Sequence, residues 1–198
     1  MDRLDLLDWK RRIFALYAEV RAGEPQQAWE RWRGVRDELF RAHPQSPLHD
    51  RASFTGLPYF EYDPALRVAA EVEPAERVRR EIATSGEEPY SITRFAKARF
   101  ELDGERELDL YWLDGYGGGI FLSFADATSG HETYGACRYL LDTVKGADLG
   151  EVDGRLVLDF NFAFNPSCAW NSLWPCPLAP IANRLPIRVE AGERNPGV

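Results

Sequence analysis

The densest set of polar side chains that could do chemistry lies in the segment LDFNFAFNPSCAW, which begins at Leu158. In a β-strand, successive side chains alternate between two faces, so Leu158 and every second residue up to Phe164 would share an apolar face. Asp159, Asn161 and Asn165 would then face the opposite way. Short Asp and Asn side chains suit fixed hydrogen bonds better than they suit an ordinary exposed strand. We therefore predict that this polar face lines a cavity.

A second polar cluster lies in FADATSGHETYGACRYLLD, residues 124–142. Loops carried by a rigid scaffold often hold functional residues. Arg138 could clamp a carboxylate or phosphate through two parallel hydrogen bonds, and Glu132 and Tyr134 are suitable proton-transfer groups. In the structural alternative, Arg138 pairs with Glu132 or Asp159 and only fixes the loop.

Several well-known catalytic and cofactor motifs are absent from the sequence, including phosphate loops, dinucleotide fingerprints, zinc-protease motifs and nucleophile elbows. The glycine run YGGGIF at 116–121 is better explained as a hairpin turn. Cys168 and Cys176 are too far apart for a typical structural zinc site, and we predict no metal and no cofactor. We expect both as buried thiols, with a disulfide or a shared metal as alternatives.

The composition limits the class of protein. The chain has 198 residues, of which 44% are hydrophobic and 13% aromatic, which predicts one domain with a substantial core. The net charge of -8 argues against a general binder of nucleic acid or anionic membranes. No segment approaches the roughly 18 apolar residues of a membrane span, and no signal-peptide pattern occurs. We therefore expect a cytoplasmic protein.

The elements that must position these side chains begin with two helices. Apolar residues recur at helical spacing in 3–21 and again from Pro25 to about Arg41, with Gly23 between the two stretches. A pair of tryptophans, Trp29 and Trp32, lies on one side of the second helix. Core packing explains this pair, although exposed tryptophans could equally serve a homodimer interface.

After residue 50 the pattern changes to short runs separated by Gly, Pro and Asp, which is typical of strands. The predicted strands are 67–73, 77–84, 91–102, 106–113, 119–125, 137–143, 156–164 and 185–190. Such a series predicts an α+β, mainly β, fold: an antiparallel β-barrel or sandwich of about eight strands, with two N-terminal helices packed on it. We expect a single domain, 1–198, with a helical segment 1–42 and a β core 50–198.

Six motifs follow one another in a fixed order: SPL, GLPYF, FADATSGHETYGACRYL, LDFNFAFNPSCAW, CPLAP and NRLPIRVEAGER. Together they resemble the bacterial and archaeal domain of unknown function family 1684, over nearly the whole chain. Phe164 stands where that family usually has a tyrosine, and Ala182 stands where a glutamate is usual. Ala136 and Cys137 interrupt a glycine-rich stretch. Because the family has no known function, the resemblance supplies a map of motifs but no reaction.

Three function hypotheses follow from these observations. The first is a pocket in the β-barrel for a small polar or anionic ligand. Its predicted binding residues are Arg138, Tyr134, Asp159, Asn161, Asn165 and Asn183. The second is a hydrolase-like or other acid/base enzyme, with Asp159 or Glu132 as the base and Tyr134 or Arg138 as an electrophilic group. The third is an internal polar network in a structural protein, for which Asp159→Asn should lower stability by a few kcal/mol.

Overall fold

The computed structural model describes residues 2–82, 90–171, 174 and 178–196. Within these ranges, no helix combines the length and the apolar character that crossing a bilayer requires.

Two helices form the N-terminal part of the fold, as the sequence predicts. Helix α1 spans Arg3–Ala22 and helix α2 spans Pro25–Ala42, so both end within one residue of the predicted positions. The side chain of Asp2 caps α1 by accepting the N–H of Leu4 at 2.9 Å. Pro25 occupies the first turn of α2, where its missing N–H has no consequence.

The rest of the fold is a seven-stranded antiparallel sheet that curls into a half-barrel. Its strands are β1 (Arg67–Ile82), β2 (Tyr90–Glu101), β3 (Glu105–Leu113), β4 (Gly119–Phe124), β5 (Arg138–Asp142), β6 (Glu151–Val152) and β7 (Arg155–Asp159). They lie in the order β5-β4-β3-β2-β1-β7-β6. The predicted α+β, mainly β, class is confirmed, and the described residues form seven strands where about eight were predicted.

The core lies between the two helices and the curled sheet. Trp32 of α2 packs edge-on against Phe162, with ring centroids 5.3 Å apart. Phe160 packs in turn against Phe124 of β4 at 5.1 Å. Trp29 and Trp32 are 3% and 0% exposed, so the core interpretation of the tryptophan pair is confirmed.

The largest departure from the predicted strands lies in β1. The two predicted strands 67–73 and 77–84 form one strand, whose register against β2 shifts between Pro74 and Val78. Proline cannot donate to the ladder, so the strand bulges there and then continues. Residues 83 and 84 lie outside the described part of the chain.

Two further strand predictions are wrong. The strand predicted for 156–164 ends at Asp159, and a 3-10 helix, Phe160–Phe162, follows. The Asp159 side chain accepts the N–H of Asn161 at 3.1 Å and so stabilises this turn in place of an extended chain. Residues 185–190 make only scattered backbone hydrogen bonds and form no strand, and Pro186, the second residue of the segment, has no N–H to donate to a ladder.

Candidate functional site

Asn183 acts as a clamp between β3 and β4. The ladder between these strands stops at the pair Tyr111–Phe121. Beyond this pair, the side chain of Asn183 bridges Asp109 of β3 and Ser123 of β4. Its amide oxygen accepts the N–H of Asp109 at 2.8 Å. Its NH₂ group donates to the carbonyls of Asp109 and Ser123 at 3.0 and 2.8 Å. The side chain thus takes the place of the missing ladder hydrogen bonds, and its polar groups are used within the protein.

Arg138 is buried in a network of its own. Its guanidinium pairs with the Asp126 carboxylate at 3.0 Å and donates to the carbonyls of Val189 and Ala191. Burial lowers the pKa of Arg138, while the charge of Asp126 opposes that shift. Arg138 therefore forms an internal ion pair, as the structural alternative predicted, but its partner is Asp126 and not Glu132 or Asp159.

Asn165 belongs to a third network, around the buried ion pair Arg36–Glu193. The Arg36 Nε donates to Glu193 Oε1 at 3.0 Å, and the hydroxyl of Tyr59 lies 3.4 Å from the same oxygen. The other Glu193 oxygen accepts the backbone N–H of Asn165 at 2.7 Å. The Asn165 amide donates to the carbonyl of Arg194 at 2.8 Å.

The A-G-E motif explains part of this third network. Gly192 has a φ of +72°, and a Cβ there would lie 2.5 Å from the carbonyl oxygen of Ala163. Only glycine fits this close approach, which brings Glu193 next to Arg36. Neither Arg36 nor Glu193 was among the predicted site residues. Arg36 stands at the buried positions of α2, four residues after Trp32, and a charged residue in such a stripe indicates a buried partner.

Glu132 and Tyr134 lie apart from these networks. Glu132 pairs with Arg188 at 2.7 Å, and both side chains are partly exposed. The Tyr134 hydroxyl lies 3.8 Å from the sulfur of Cys168, and burial raises the pKa of this tyrosine. Neither residue lines the cavity described below.

The expectation that Cys168 is a buried thiol is wrong. The residue is disulfide-bonded. Its side chain is only partly buried in the short 3-10 helix Ser167–Ala169, so core packing does not sequester the sulfur. Cys176 lies outside the described residues. Because disulfides persist mainly in oxidising compartments, the cytoplasmic location stays a prediction.

Asp159 and Asn161 do lie together, but they have different roles. The Asn161 amide clamps the backbone of Asp63, accepting its N–H at 2.9 Å and donating to its carbonyl at 2.8 Å. It also donates to Asp159 Oδ1 at 2.9 Å. Asp159 Oδ1 is therefore fully used, whereas the buried Asp159 Oδ2 has no hydrogen-bond partner among the described residues.

Asp159 lines a cavity of about 260 Å³ between the α1–α2 turn and the end of the sheet formed by β1, β7 and β6. Arg67, directly opposite Asp159 in the β1–β7 register, approaches Asp159 Oδ2 with its Nε at 3.6 Å. The apolar part of the wall comes from Val20, Pro25, Leu149, Val157 and Phe162.

The carboxyl of Asp159 is a weaker acid than that of an ordinary aspartate. Burial raises its pKa from 3.8 to about 6, against the lowering effects of the Asn161 hydrogen bonds and the Arg67 charge. Strongly shifted carboxyls beside a cavity are typical of functional sites. Of the predicted binding residues, Asp159 alone lines this cavity within the described ranges, and ligand binding by the others stays a prediction.

Two helices packed on a curled antiparallel sheet, with buried polar clamps that join distant segments, define the class of this protein as an α+β half-barrel. The chain belongs to the family described as Protein of unknown function (DUF1684), whose model matches residues 52–194. The predicted family is thus confirmed, and the match begins after α2 and the SPL motif.

A solved structure supports the same assignment. The chain is similar to an uncharacterised protein of Haloarcula marismortui solved by solution NMR, with 34% identity and a TM-score of 0.62. The similarity covers 85% of this chain and 92% of the archaeal chain. A search of curated proteins found no match.

Proposed function

We propose that this protein binds a small polar ligand in the cavity beside Asp159. A single observation supports the proposal most strongly: one oxygen of the buried Asp159 carboxylate has no hydrogen-bond partner among the residues that the structure describes, and Asp159 lies on the cavity wall. A buried polar atom without a partner is costly, by roughly 1–3 kcal/mol. Of the six such atoms in the described part of the chain, only Asp159 Oδ2 belongs to a residue that lines this cavity. A bound molecule that donates to Asp159 would remove this cost.

The cavity has the composition of a binding site. The wall combines apolar side chains with four charged residues that could orient a ligand, Arg21, Arg67, Glu151 and Asp159. Its volume of about 260 Å³ lies just below the range of roughly 300–1,000 Å³ that is usual for ligand pockets. The expected ligand is therefore small.

A titration monitored by methyl NMR tests the proposal. A panel of small carboxylates, amines, amino acids and polyols would be added to the protein labelled at its methyl groups. We expect at least one compound to shift the methyl resonances of Val20, Leu149 and Val157, which line the cavity. In Asp159→Asn, binding should weaken about ten-fold or more, because a hydrogen bond to a charged group is lost.

The matched control is Asp103→Asn. Asp103 is exposed in the β2–β3 hairpin and has a φ of 49°, a conformation that asparagine also tolerates. This variant should bind like the unaltered protein. The proposal fails if no compound of the panel shifts the cavity methyls at millimolar concentration, or if Asp159→Asn binds as tightly as the control.

A second candidate function, acid/base catalysis at Asp159, is favoured by the pKa of about 6. A group with such a pKa can accept and release a proton near neutral pH. If Asp159 is a general base, turnover of the bound compound should decline as the pH falls below about 6, because the carboxylate becomes protonated. The measurement is product formation from the panel compound that binds, followed between pH 5 and pH 8.

A further inference from the structure

Arg67 and Asp159 form an ion pair that has no direct hydrogen bond between the two side chains. The Arg67 Nε lies 3.6 Å from Asp159 Oδ2, which is within the range of an ion pair but too long for a hydrogen bond. In the described part of the chain, this is the only polar contact of the Arg67 side chain, so further N–H groups of its guanidinium are available. The cavity wall therefore presents one hydrogen-bond acceptor with a negative charge beside several donors with a positive charge.

Charge balance restricts what can bind there. Arg67 and Asp159 together carry no net charge at neutral pH. Arg21 and Glu151 on the same wall also have opposite charges, so the charged side chains around the cavity sum to zero. A ligand with a single charge would satisfy one partner of the Arg67–Asp159 pair and leave an additional charge beside the buried Asp159, which is unfavourable. A ligand that carries both charges leaves the site neutral and pairs each of its groups with an opposite charge.

The spacing of the pair restricts the ligand further. Because Arg67 Nε and Asp159 Oδ2 are 3.6 Å apart, the two charged groups of the ligand must also lie close to each other. An ammonium and a carboxylate attached to one carbon meet this condition, whereas widely separated charges do not. The apolar wall from Val20, Pro25 and Leu149 would then surround a small apolar side chain.

We infer that the ligand of this cavity is a small apolar α-amino acid, whose ammonium donates to Asp159 and whose carboxylate accepts from Arg67. This inference rests on the proposed function and adds the chemical class of the ligand. Val20, near the end of α1, and Pro25, the first residue of α2, precede the part of the chain that the family's model matches. They limit the size of the side chain that the cavity accepts.

Four probes with the same isopropyl group test the inference: valine, isobutylamine, isovalerate and 2-hydroxyisovalerate. They carry both charges, the positive charge alone, the negative charge alone, and the negative charge with a neutral donor. The methyl resonances of Leu149 and Val157 report binding of each probe at neutral pH. Valine should bind about ten-fold or more tightly than the other three, because each charge-assisted hydrogen bond contributes at least that factor.

Two variants separate the two contacts. Asp159→Asn should reduce the affinity for valine to that for isovalerate, because the ammonium loses its partner. Arg67→Gln should reduce it to that for isobutylamine, because the carboxylate loses its partner. Arg99→Gln is the matched control, since Arg99 is exposed on β2 and pairs with Glu73 and Glu107 away from the cavity. It should leave all four affinities unchanged.

The outcomes distinguish this inference from the proposed function. If isobutylamine, isovalerate or 2-hydroxyisovalerate binds as tightly as valine, recognition of both charges is refuted while ligand binding in the cavity stands. The same conclusion follows if none of the four binds but another compound of the polar panel shifts the cavity methyls. If no compound of either set binds, both proposals are refuted. Since the unaltered protein gives these results, they do not depend on the folding of the variants.

Discussion

Asp159→Asn is expected to stabilise the protein at pH 8, by up to about 3 kcal/mol in the free energy of unfolding. Burial raises the pKa of the Asp159 carboxyl from 3.8 to about 6, and a shift of this size corresponds to about that free energy at about 1.4 kcal/mol per pH unit. The amide oxygen of the variant can still accept both hydrogen bonds from Asn161. The substitution therefore removes the costly charge and keeps the turn.

The stability advantage of Asp159→Asn should increase as the pH rises. The folded protein binds the Asp159 proton more tightly than the unfolded chain does, so ionisation of this carboxyl destabilises the folded state. Below about pH 3.8 the carboxyl is protonated in both states and has no such effect. Between about pH 3.8 and pH 6 the cost develops, and above pH 6 it is complete. The advantage of the variant should therefore grow across this window and then stay constant.

Urea unfolding of both proteins between pH 4 and pH 8 measures this difference, because other titrating groups contribute equally and cancel. Asp103→Asn, at an exposed turn position, should show almost no difference at any pH. If Asp159→Asn is instead less stable at every pH, the carboxylate stabilises the fold as part of an internal network. That result would support the structural hypothesis and remove the main argument for a ligand site.

A stabilising substitution at Asp159 would also bear on function. Proteins commonly retain destabilising groups where activity needs them, and their removal then raises stability at the expense of function. The same variant is expected to lose ligand binding. Opposite changes of stability and binding in one protein would be hard to explain by a general disturbance of the fold.

Glu193→Gln is expected to lower the free energy of unfolding by about 3–5 kcal/mol, the range measured when one partner of a buried ion pair is removed. Arg36 and Glu193 have side-chain exposures of 8% and 0%, so the Arg36 charge would stay buried without its counter-ion. The pair joins α2 to the C-terminal segment and to the backbone of Asn165. Its loss should therefore loosen the packing of the helices on the sheet.

Thermal and urea unfolding of Glu193→Gln measure this effect, and Glu190→Gln provides the control. Glu190 pairs with Arg188 at the surface, where an ion pair contributes only about 0–1 kcal/mol. The double variant Arg36→Met, Glu193→Gln should recover part of the lost stability, because it contains no unpaired buried charge. A loss below 1 kcal/mol in Glu193→Gln, or no recovery in the double variant, would contradict this explanation.

The amino-acid sequence determined the local elements of this protein. Helical spacing and capping residues place α1 and α2 within one residue, and the Asp103–Gly104 turn between β2 and β3 follows from residues that tolerate positive φ. The sequence also identified Asp159 and Asn161 as residues held by fixed hydrogen bonds. These features depend on interactions between residues close together in the chain, so a local pattern suffices to predict them.

Tertiary structure decided which polar groups meet. Asn161 is satisfied by Asp63, 98 residues away, and Asn183 is satisfied by Asp109, 74 residues away, and no periodicity in the sequence specifies such partners. Alternation predicted that Asp159 and Asn161 would have one role. The turn after β7 instead directs Asn161 to the backbone and leaves Asp159 Oδ2 without a hydrogen-bond partner in the described part of the chain. The cavity forms only when the helix turn and three strands meet. Its existence therefore depends on long-range packing and could not be derived from the residues alone.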